Sequence, residues 1–238
     1  MKLSKRLETV ASMVTKGNRA ADVGCDHGFV PIFLVESGIS PLAVAADVRP
    51  GPLSRAKEHI KEHRLEEKIQ TRLSDGLANI KPGEADSLIM SGIGGILMMR
   101  LLQDEEHTAK SFKELILSPQ SELFDVRRYL VSNGYLIEYE HMLCDEGKYY
   151  FIFHVLVKKD EREWSEEEYR YGKDICKDDM KTFLEYLEKE ERQYEQILEK
   201  MKQAPENDRA AQRIAQLHQD ITCLKKRRQL VYDCGCFA

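Results

Sequence analysis

The sequence predicts an α/β fold built on a mostly parallel sheet, and three observations carry that expectation. Five short apolar runs, residues 20–23, 42–47, 69–73, 85–90 and 115–117, alternate with segments of helical periodicity. The first run empties into the glycine-bounded turn Gly24-Cys25-Asp26-His27-Gly28 and then directly into a helical stretch. Two longer β-rich runs, 135–143 and 149–157, follow, joined by the hairpin-length loop 144–148. Seven strands result, with the last two forming an antiparallel edge.

The elements can be justified in order. Leu3, Leu7, Val10 and Val14 recur at helical spacing, which predicts a helix over 4–15 with Lys2, Lys5 and Arg6 on its polar side. Gly17-Asn18 ends it and the first strand begins. Gly24 can take backbone angles closed to other residues, and Gly28 allows the helix over 29–36 to pack close to the strand. The second strand ends in Asp47, about twenty residues past Gly28, where an open doubly wound sheet places a carboxylate for ribose hydroxyls. Pro50-Gly51-Pro52 starts the next helix, through Ala56 and Ile60. The third strand runs into Ser74-Asp75-Gly76, where Asp75 either accepts from an adenine amino group or simply makes a turn. After the fourth strand, Ser91-Gly92-Ile93-Gly94-Gly95 leaves backbone accessible beside a cofactor, as a flat substrate needs; close packing of strand on helix would use the same glycines. Ser118-Pro119-Gln120 closes the fifth strand, a helix covers 123–131, and Asn133-Gly134 stops it.

Composition bounds what the chain can do. Its 238 residues are 42% hydrophobic and 32% charged, the balance of a globular protein. A net charge of -5 argues against a broadly basic nucleic-acid binder, though not against a local patch. No run of about twenty apolar residues is present and the N-terminus carries no signal-peptide core, so no membrane segment and a cytoplasmic location are expected. Six cysteines lack paired Cys-x-x-Cys spacing. They are expected to be free thiols with no metal site; Cys234 and Cys236 are the one close pair.

From Lys158 the composition changes, which predicts a domain boundary between 160 and 161. Cys176, Met180, Phe183, Leu187, Tyr194, Ile197 and Met201 fall on one alternating seam. Ala210, Ile214, Leu217, Ile221, Leu224 and Val231 fall on another, with Arg228 in the missing slot. Two such helices joined by the turn 204–207 predict an antiparallel coiled-coil hairpin. A first helix of roughly 39 residues and a second of roughly 25 would reach about 58 Å and 37 Å. The longer one must overhang its partner or pack its first turns on the sheet domain. Lys225-Lys226-Arg227-Arg228 is the densest basic cluster, suited either to phosphate or to the negative end of a helix.

The spacing of the first loop discriminates among nucleotide ligands. It is Gly-x-x-x-Gly, neither Gly-x-Gly-x-x-Gly nor a phosphate loop. Acidic residues lining it suit a ligand with a cationic, hydroxyl-rich end, and S-adenosylmethionine, with its sulfonium, amino group and ribose, fits.

Together, Leu3-Ser4-Lys5-Arg6-Leu7, Asp22-Val23-Gly24-Cys25-Asp26-His27, Ser91-Gly92-Ile93-Gly94-Gly95, Glu146-Gly147-Lys148-Tyr149 and the helical C-terminal part resemble the bacterial TrmK family. These are tRNA methyltransferases that modify N1 of adenine 22. The resemblance implies a class I methyltransferase, Rossmann-like catalytic domain over 1–160 and a coiled-coil domain over 161–238. It implies an S-adenosylmethionine site at Asp22, Gly24, Cys25, Asp26, His27, Gly28, Asp47, Val48, Asp75, Gly76 and Ser91. Asp26, Ser91 and Gly92 are the expected catalytic positions. Phe29, Ile93 and Gly94 are expected to wall the adenine pocket, and Lys5, Arg6, Arg127 and Arg128 to contact RNA phosphates. tRNA is the expected partner, and a monomer the simplest assembly. Neutral adenine has a free lone pair on N1, so no strong base is required, and none is evident. Two other readings use the same cofactor site: a methyltransferase of small molecules or proteins with a dimerising coiled coil, and an inactive cofactor-binding interaction module.

Overall fold

The computed structural model describes residues 3–202 and 208–233. Lys2, the turn expected over 204–207 and the Cys234/Cys236 pair lie outside the described residues. Seven strands form one sheet in the order β3-β2-β1-β4-β5-β7-β6. The parallel strands are β1 (Ala20–Val23), β2 (Ala43–Asp47), β3 (Ile69–Leu73), β4 (Ser87–Ser91) and β5 (Glu114–Ser118). β6 (Leu136–Asp145) and β7 (Lys148–Leu156) run antiparallel at one edge. β1, β2 and β5 are buried at every position, because helices cover both faces of the sheet. In the β6–β7 hairpin Asp145 pairs with Lys148, leaving Glu146 (φ 49°) and Gly147 (φ 77°) as a two-residue turn. Positive φ at both central positions matches the twist of the flanking strands.

On one face lie α1 (Lys5–Ser12), α2 (Phe29–Glu36) and α3 (Pro50–Glu62). The Ser4 hydroxyl accepts from the Leu7 N–H to start α1, and proline begins α3. On the other lie α4 (Gly95–Asp104), the short α5 (Glu106–Ala109) and α6 (Leu123–Ser132), packed in the larger core. The strand order reverses between β1 and β4, so connections diverge there and open a crevice at the carboxyl ends of the strands.

Beyond the sheet come α7 (Glu166–Tyr171), α8 (Met180–Lys202) and α9 (Asp208–Asp233). The single long first helix expected from the sequence is broken, and α8 has 23 residues. Gly172 stops α7 at φ +92°, and a Cβ there would lie 2.7 Å from Ile175 Cδ1 and 2.9 Å from Glu140 Oε1. The chain then docks on β6: Glu140 N–H donates to the Asp174 carbonyl and Cys176 N–H to the Glu140 carbonyl, both at 2.9 Å. Phe183, Leu184 and Leu187 on α8, with Leu224 and Val231 on α9, join the larger core of the sheet. Farther out, Tyr194, Leu198 and Met201 meet Ile214, Leu217 and Ile221 in a small separate cluster. Leu198, not Ile197, fills the seam; Ile197 is 39% exposed.

The basic cluster on α9 is turned to internal use. Lys225 and Arg228 both pair with Glu191 of α8, Lys226 lies 2.5 Å from Glu167, and Arg227 is buried with Nη2 donating to the Lys173 carbonyl at 2.9 Å. The Glu191 pairs tie α9 to α8, and the contacts with Glu167 and Lys173 tie it to α7 and the segment after it. Arg127, expected at phosphate, is likewise structural and fully buried. Its Nε and Nη2 donate to the Glu140 carboxylate and its Nη1 to the carbonyls of Tyr169 and Arg170, with the rings of Phe151 and Phe153 about its guanidinium. The next residue on α6, Arg128, points outward and is exposed.

Candidate active site

At the carboxyl ends of β1, β2 and β4 the crevice forms a cleft of about 560 Å³. That volume is in the range of small-molecule sites. Two carboxylates, Asp22 from β1 and Asp47 from β2, lie in it only 4% exposed. Asp47 is held on both oxygens: Oδ2 accepts from the Asp26 N–H at 3.2 Å and Oδ1 from the Arg49 N–H at 2.9 Å. Burial above all, and then the neighbouring Asp47, push the Asp22 pKa up to about 7, against the opposing pull of Arg6. Two buried acids facing one cavity leave a site short of positive charge.

The first loop wraps this pair. Gly24 (φ 82°) and Gly28 (φ 72°) occupy the left-handed region, and a Cβ on Gly28 would sit 3.1 Å from Ala56 Cβ of α3. Asp26 also has positive φ, 47°, which swings its carboxylate outward to 55% exposure between Arg55 Nη2 (3.5 Å) and His27 Nε2 (3.6 Å). The rings of His27, Phe29 and His59 stack, with centroids 5.1–5.7 Å apart, and the His27 carbonyl is 3.0 Å from His59 Nδ1. His27 Nδ1 is buried with no hydrogen-bond partner among the described residues. Cys25 is 7% exposed, and burial, reinforced by Asp22 and Asp47, drives its thiol pKa upward, so it lines the wall as an inert side chain.

The opposite wall comes from Ser91, Gly92 and Ile93 after β4, with Asp75 and Gly76 after β3. Arg6, expected on RNA phosphate, reaches into the cleft instead: its guanidinium donates to Ser91 Oγ and lies 5.4 Å from the Tyr150 ring centroid. Gly92 has φ 87°, and a Cβ there would lie 3.6 Å from both Arg6 Nη1 and Gln120 Nε2. The missing side chain thus leaves a slot flanked by two sets of N–H donors. Gly94 and Gly95 serve packing: Gly94 caps α4, and a Cβ on Gly95 would meet the Ser121 carbonyl oxygen at 2.5 Å.

Most positions expected around the cofactor therefore converge, namely Asp22, Gly24, Cys25, Asp26, His27, Asp47, Val48, Asp75, Gly76 and Ser91, with Phe29, Gly92 and Ile93 beside them. Gly28 stands behind the wall, Gly94 lies outside the lining, and Lys5 and Arg128 are exposed elsewhere. Sequence reasoning missed the place of Arg6, and missed Arg49, Leu97, Leu101 and Gln120, which also line the cleft. Leu97 and Leu101, four apart on α4, carried a readable signal; Gln120 follows the end of β5 as Ser91 ends β4.

The residues present fit S-adenosylmethionine. The acidic floor matches a sulfonium and an amino group, the fixed Asp47 carboxylate matches a ribose, and Val48, Leu97 and Leu101 supply apolar wall. The orphaned His27 nitrogen marks a polar contact that the protein alone does not satisfy.

Comparison with known proteins agrees. The model of the family described as methyltransferase domain matches residues 3–153. The chain is 28% identical over 232 residues to the tRNA (adenine(22)-N(1))-methyltransferase of Bacillus subtilis (strain 168), covering 95% of this chain and 97% of that protein. Among solved structures, the B. subtilis m1A22 tRNA methyltransferase TrmK superposes with a TM-score of 0.85 at 28% identity over 95% of this chain and 99% of the other. M. capricolum TrmK, in complex with S-adenosyl-homocysteine, does so with a TM-score of 0.84 at 25% identity over 97% and 100%. No helix among the described residues is long and apolar enough to cross a membrane. The chain belongs to the methyltransferase-domain family, and its end-to-end likeness in sequence and fold places it with the TrmK methyltransferases.

Proposed function

We infer that this chain is an S-adenosylmethionine-dependent tRNA methyltransferase that forms 1-methyladenosine at adenine 22. The observation that carries the reading is the buried Asp22 and Asp47 pair under the glycine loop, opening onto the Gly92 slot between Arg6 and Gln120. When bound, S-adenosylmethionine supplies an electrophilic methyl group. Asp47 would accept from the ribose hydroxyls, Asp75 from the adenine amino group, and Asp22 would face the cationic end. N1 of the target adenine brings its own lone pair, so the chain has to align rather than deprotonate. Alignment of this kind is worth on the order of 7 to 11 kcal/mol in favourable cases.

The target adenine must first leave its stack or pair, at a cost of a few kcal/mol. Phe29 and Ile93 would receive it, the Ser91-Gly92 backbone would leave it room, and the Arg6 and Gln120 N–H groups would hold its edge. Asp26, half exposed at the mouth, would oppose the positive charge that N1 methylation creates. Lys5 and Arg128, both exposed, would hold phosphates. The enzyme would act in the cytoplasm as a single copy, with 1–160 as catalytic domain and 161–238 as helical domain.

The test is incubation with methyl-labelled S-adenosylmethionine and unmodified bacterial tRNA, followed by nucleoside analysis. Label in 1-methyladenosine that disappears when adenine 22 is replaced by guanine is the expected result. Label that persists in that tRNA, or that enters protein or small metabolites instead, overturns the substrate.

A further inference from the structure

At the β6 edge, outside the cleft lining, the strand meets the segment that leads into α8. His141 on β6 stands between two partners: Nδ1 is 2.7 Å from Asp179 Oδ2, and Nε2 is 3.6 Å from Cys176 Sγ. The Met142 N–H fixes the same Asp179 oxygen at 2.9 Å, and the Cys176 N–H is tied to the Glu140 carbonyl at 2.9 Å. All three residues are only partly buried.

A thiol, an imidazole and a carboxylate in hydrogen-bonded series are the parts of an activated nucleophile: a base beside the sulfur, and an acid that orients the base. The Asp179 bond first, and then the contact with Cys176, raise the His141 pKa to about 10, so the ring carries positive charge beside the sulfur at neutral pH. Of the four described cysteines, Cys176 alone has a histidine nitrogen within hydrogen-bond reach. Burial pushes the thiols of Cys25 and Cys223 upward.

We propose that Cys176 is a nucleophilic thiol that His141 activates and that small disulfides modify by thiol–disulfide exchange. The protonated His141 ring, oriented by Asp179, stabilises Cys176 as the attacking thiolate, the thiol proton passing to water, and Sγ attacks one sulfur of the disulfide RS–SR. A Cys176 S–S bond forms as the original S–S bond breaks, and the departing thiolate takes a proton from water. The small disulfide is the only oxidant required.

The same three residues also have the composition of a metal site, but the geometry favours the nucleophile. Both ring nitrogens of His141 are engaged, one toward each partner. One ligand atom of each residue lies within 4.8 Å of the other two, but Asp179 bonds Nδ1 while Cys176 faces Nε2, so neither ring nitrogen faces both partners. An adduct on Cys176 would sit where the backbone docks the helical pair on β6, so modification would loosen that joint.

The test is the rate of Cys176 alkylation by iodoacetamide at about pH 6, read by peptide mass spectrometry, in the folded protein and in the same chain unfolded in urea. The unfolded chain gives the rate of a fully accessible, unassisted thiol. The imidazole held against the sulfur gives an expected native advantage of about fivefold. His141→Gln should remove that advantage, and glutathione disulfide should form a mixed disulfide at Cys176 in preference to Cys25, Cys144 and Cys223. A native rate at or below the unfolded rate overturns the proposal and needs no variant. So does an unchanged rate in folded His141→Gln, or stoichiometric zinc in the protein as isolated.

Discussion

Replacing Asp22 by Asn tests the electrostatic design of the cleft. Asp22 is 4% exposed and has a pKa near 7, against 3.8 for a free aspartate. Ionising it in the protein alone therefore costs roughly 4 kcal/mol more than in water. An acid whose pKa is raised on folding contributes stability while protonated, and that contribution is lost as pH rises from about 4 to about 7. A cationic ligand reverses the balance, because it interacts with the carboxylate and not with the acid. With half the molecules ionised near pH 7, about one in eleven is ionised near pH 6 and about ten in eleven near pH 8. S-Adenosylmethionine should accordingly bind wild type about tenfold more weakly near pH 6 than near pH 8, a difference of about 1.4 kcal/mol. Titration calorimetry at those two values on wild type and Asp22→Asn cancels the titration of the ligand itself. The variant should bind more weakly near pH 8, lose the Asp22-dependent tenfold ratio, and melt higher than wild type near pH 8. Parallel pH profiles for the two proteins, or a lower melting temperature for the variant near pH 8, would refute the reasoning.

Other sites give independent checks. Burial pushes the Glu114 carboxylate up, but bonds from His154, Ser87 and Thr15 outweigh it and hold the pKa at about 2. That stability is present above about pH 4.5 and is lost as pH falls toward 2, amounting to roughly 3 kcal/mol. Glu114→Gln should flatten the acid limb of the urea-unfolding free energy between those values. Arg127→Met leaves the Glu140 carboxylate buried without its cation and should cost about 3–5 kcal/mol in urea unfolding. Single Ala variants of Lys5 and Arg128 should leave the melting temperature unchanged and each reduce the logarithmic salt slope of tRNA binding by about one; an unchanged slope removes that residue from the RNA interface.

What the sequence made legible follows from local physics. β3 and α2 have the bounds read from their apolar patterns, since a strand closed by a turn and a helix opened by glycine announce their own ends. Most of the cleft wall was readable because one loop and the tips of three strands supply it. The helical part was misread where a distant partner decides. The expected first helix spanned 172, yet Gly172 was itself the stop signal, and the dock of 174–176 on β6 is invisible without the fold. Arg127 and Arg128 look alike in sequence, but only Arg127 faces Glu140 across the core. Arg6 lies on the polar side of α1, and only the packing of α1 over the face of β5, β7 and β6 turns its guanidinium toward Ser91. Ile197 and Leu198 are one helical step apart, and the register of α9 chose between them.

The division of α8 has a mechanical consequence. Its near half is anchored among the same side chains that pack against β6 and β7, while its far half is clamped to α9 by the small Leu198 cluster. A helix embedded at one end and braced along the other is held as a cantilever beam is held. The far end therefore stands at a set distance from the cleft, and the pair can act as a gauge: a large substrate that touches both must present the reactive atom at that one separation.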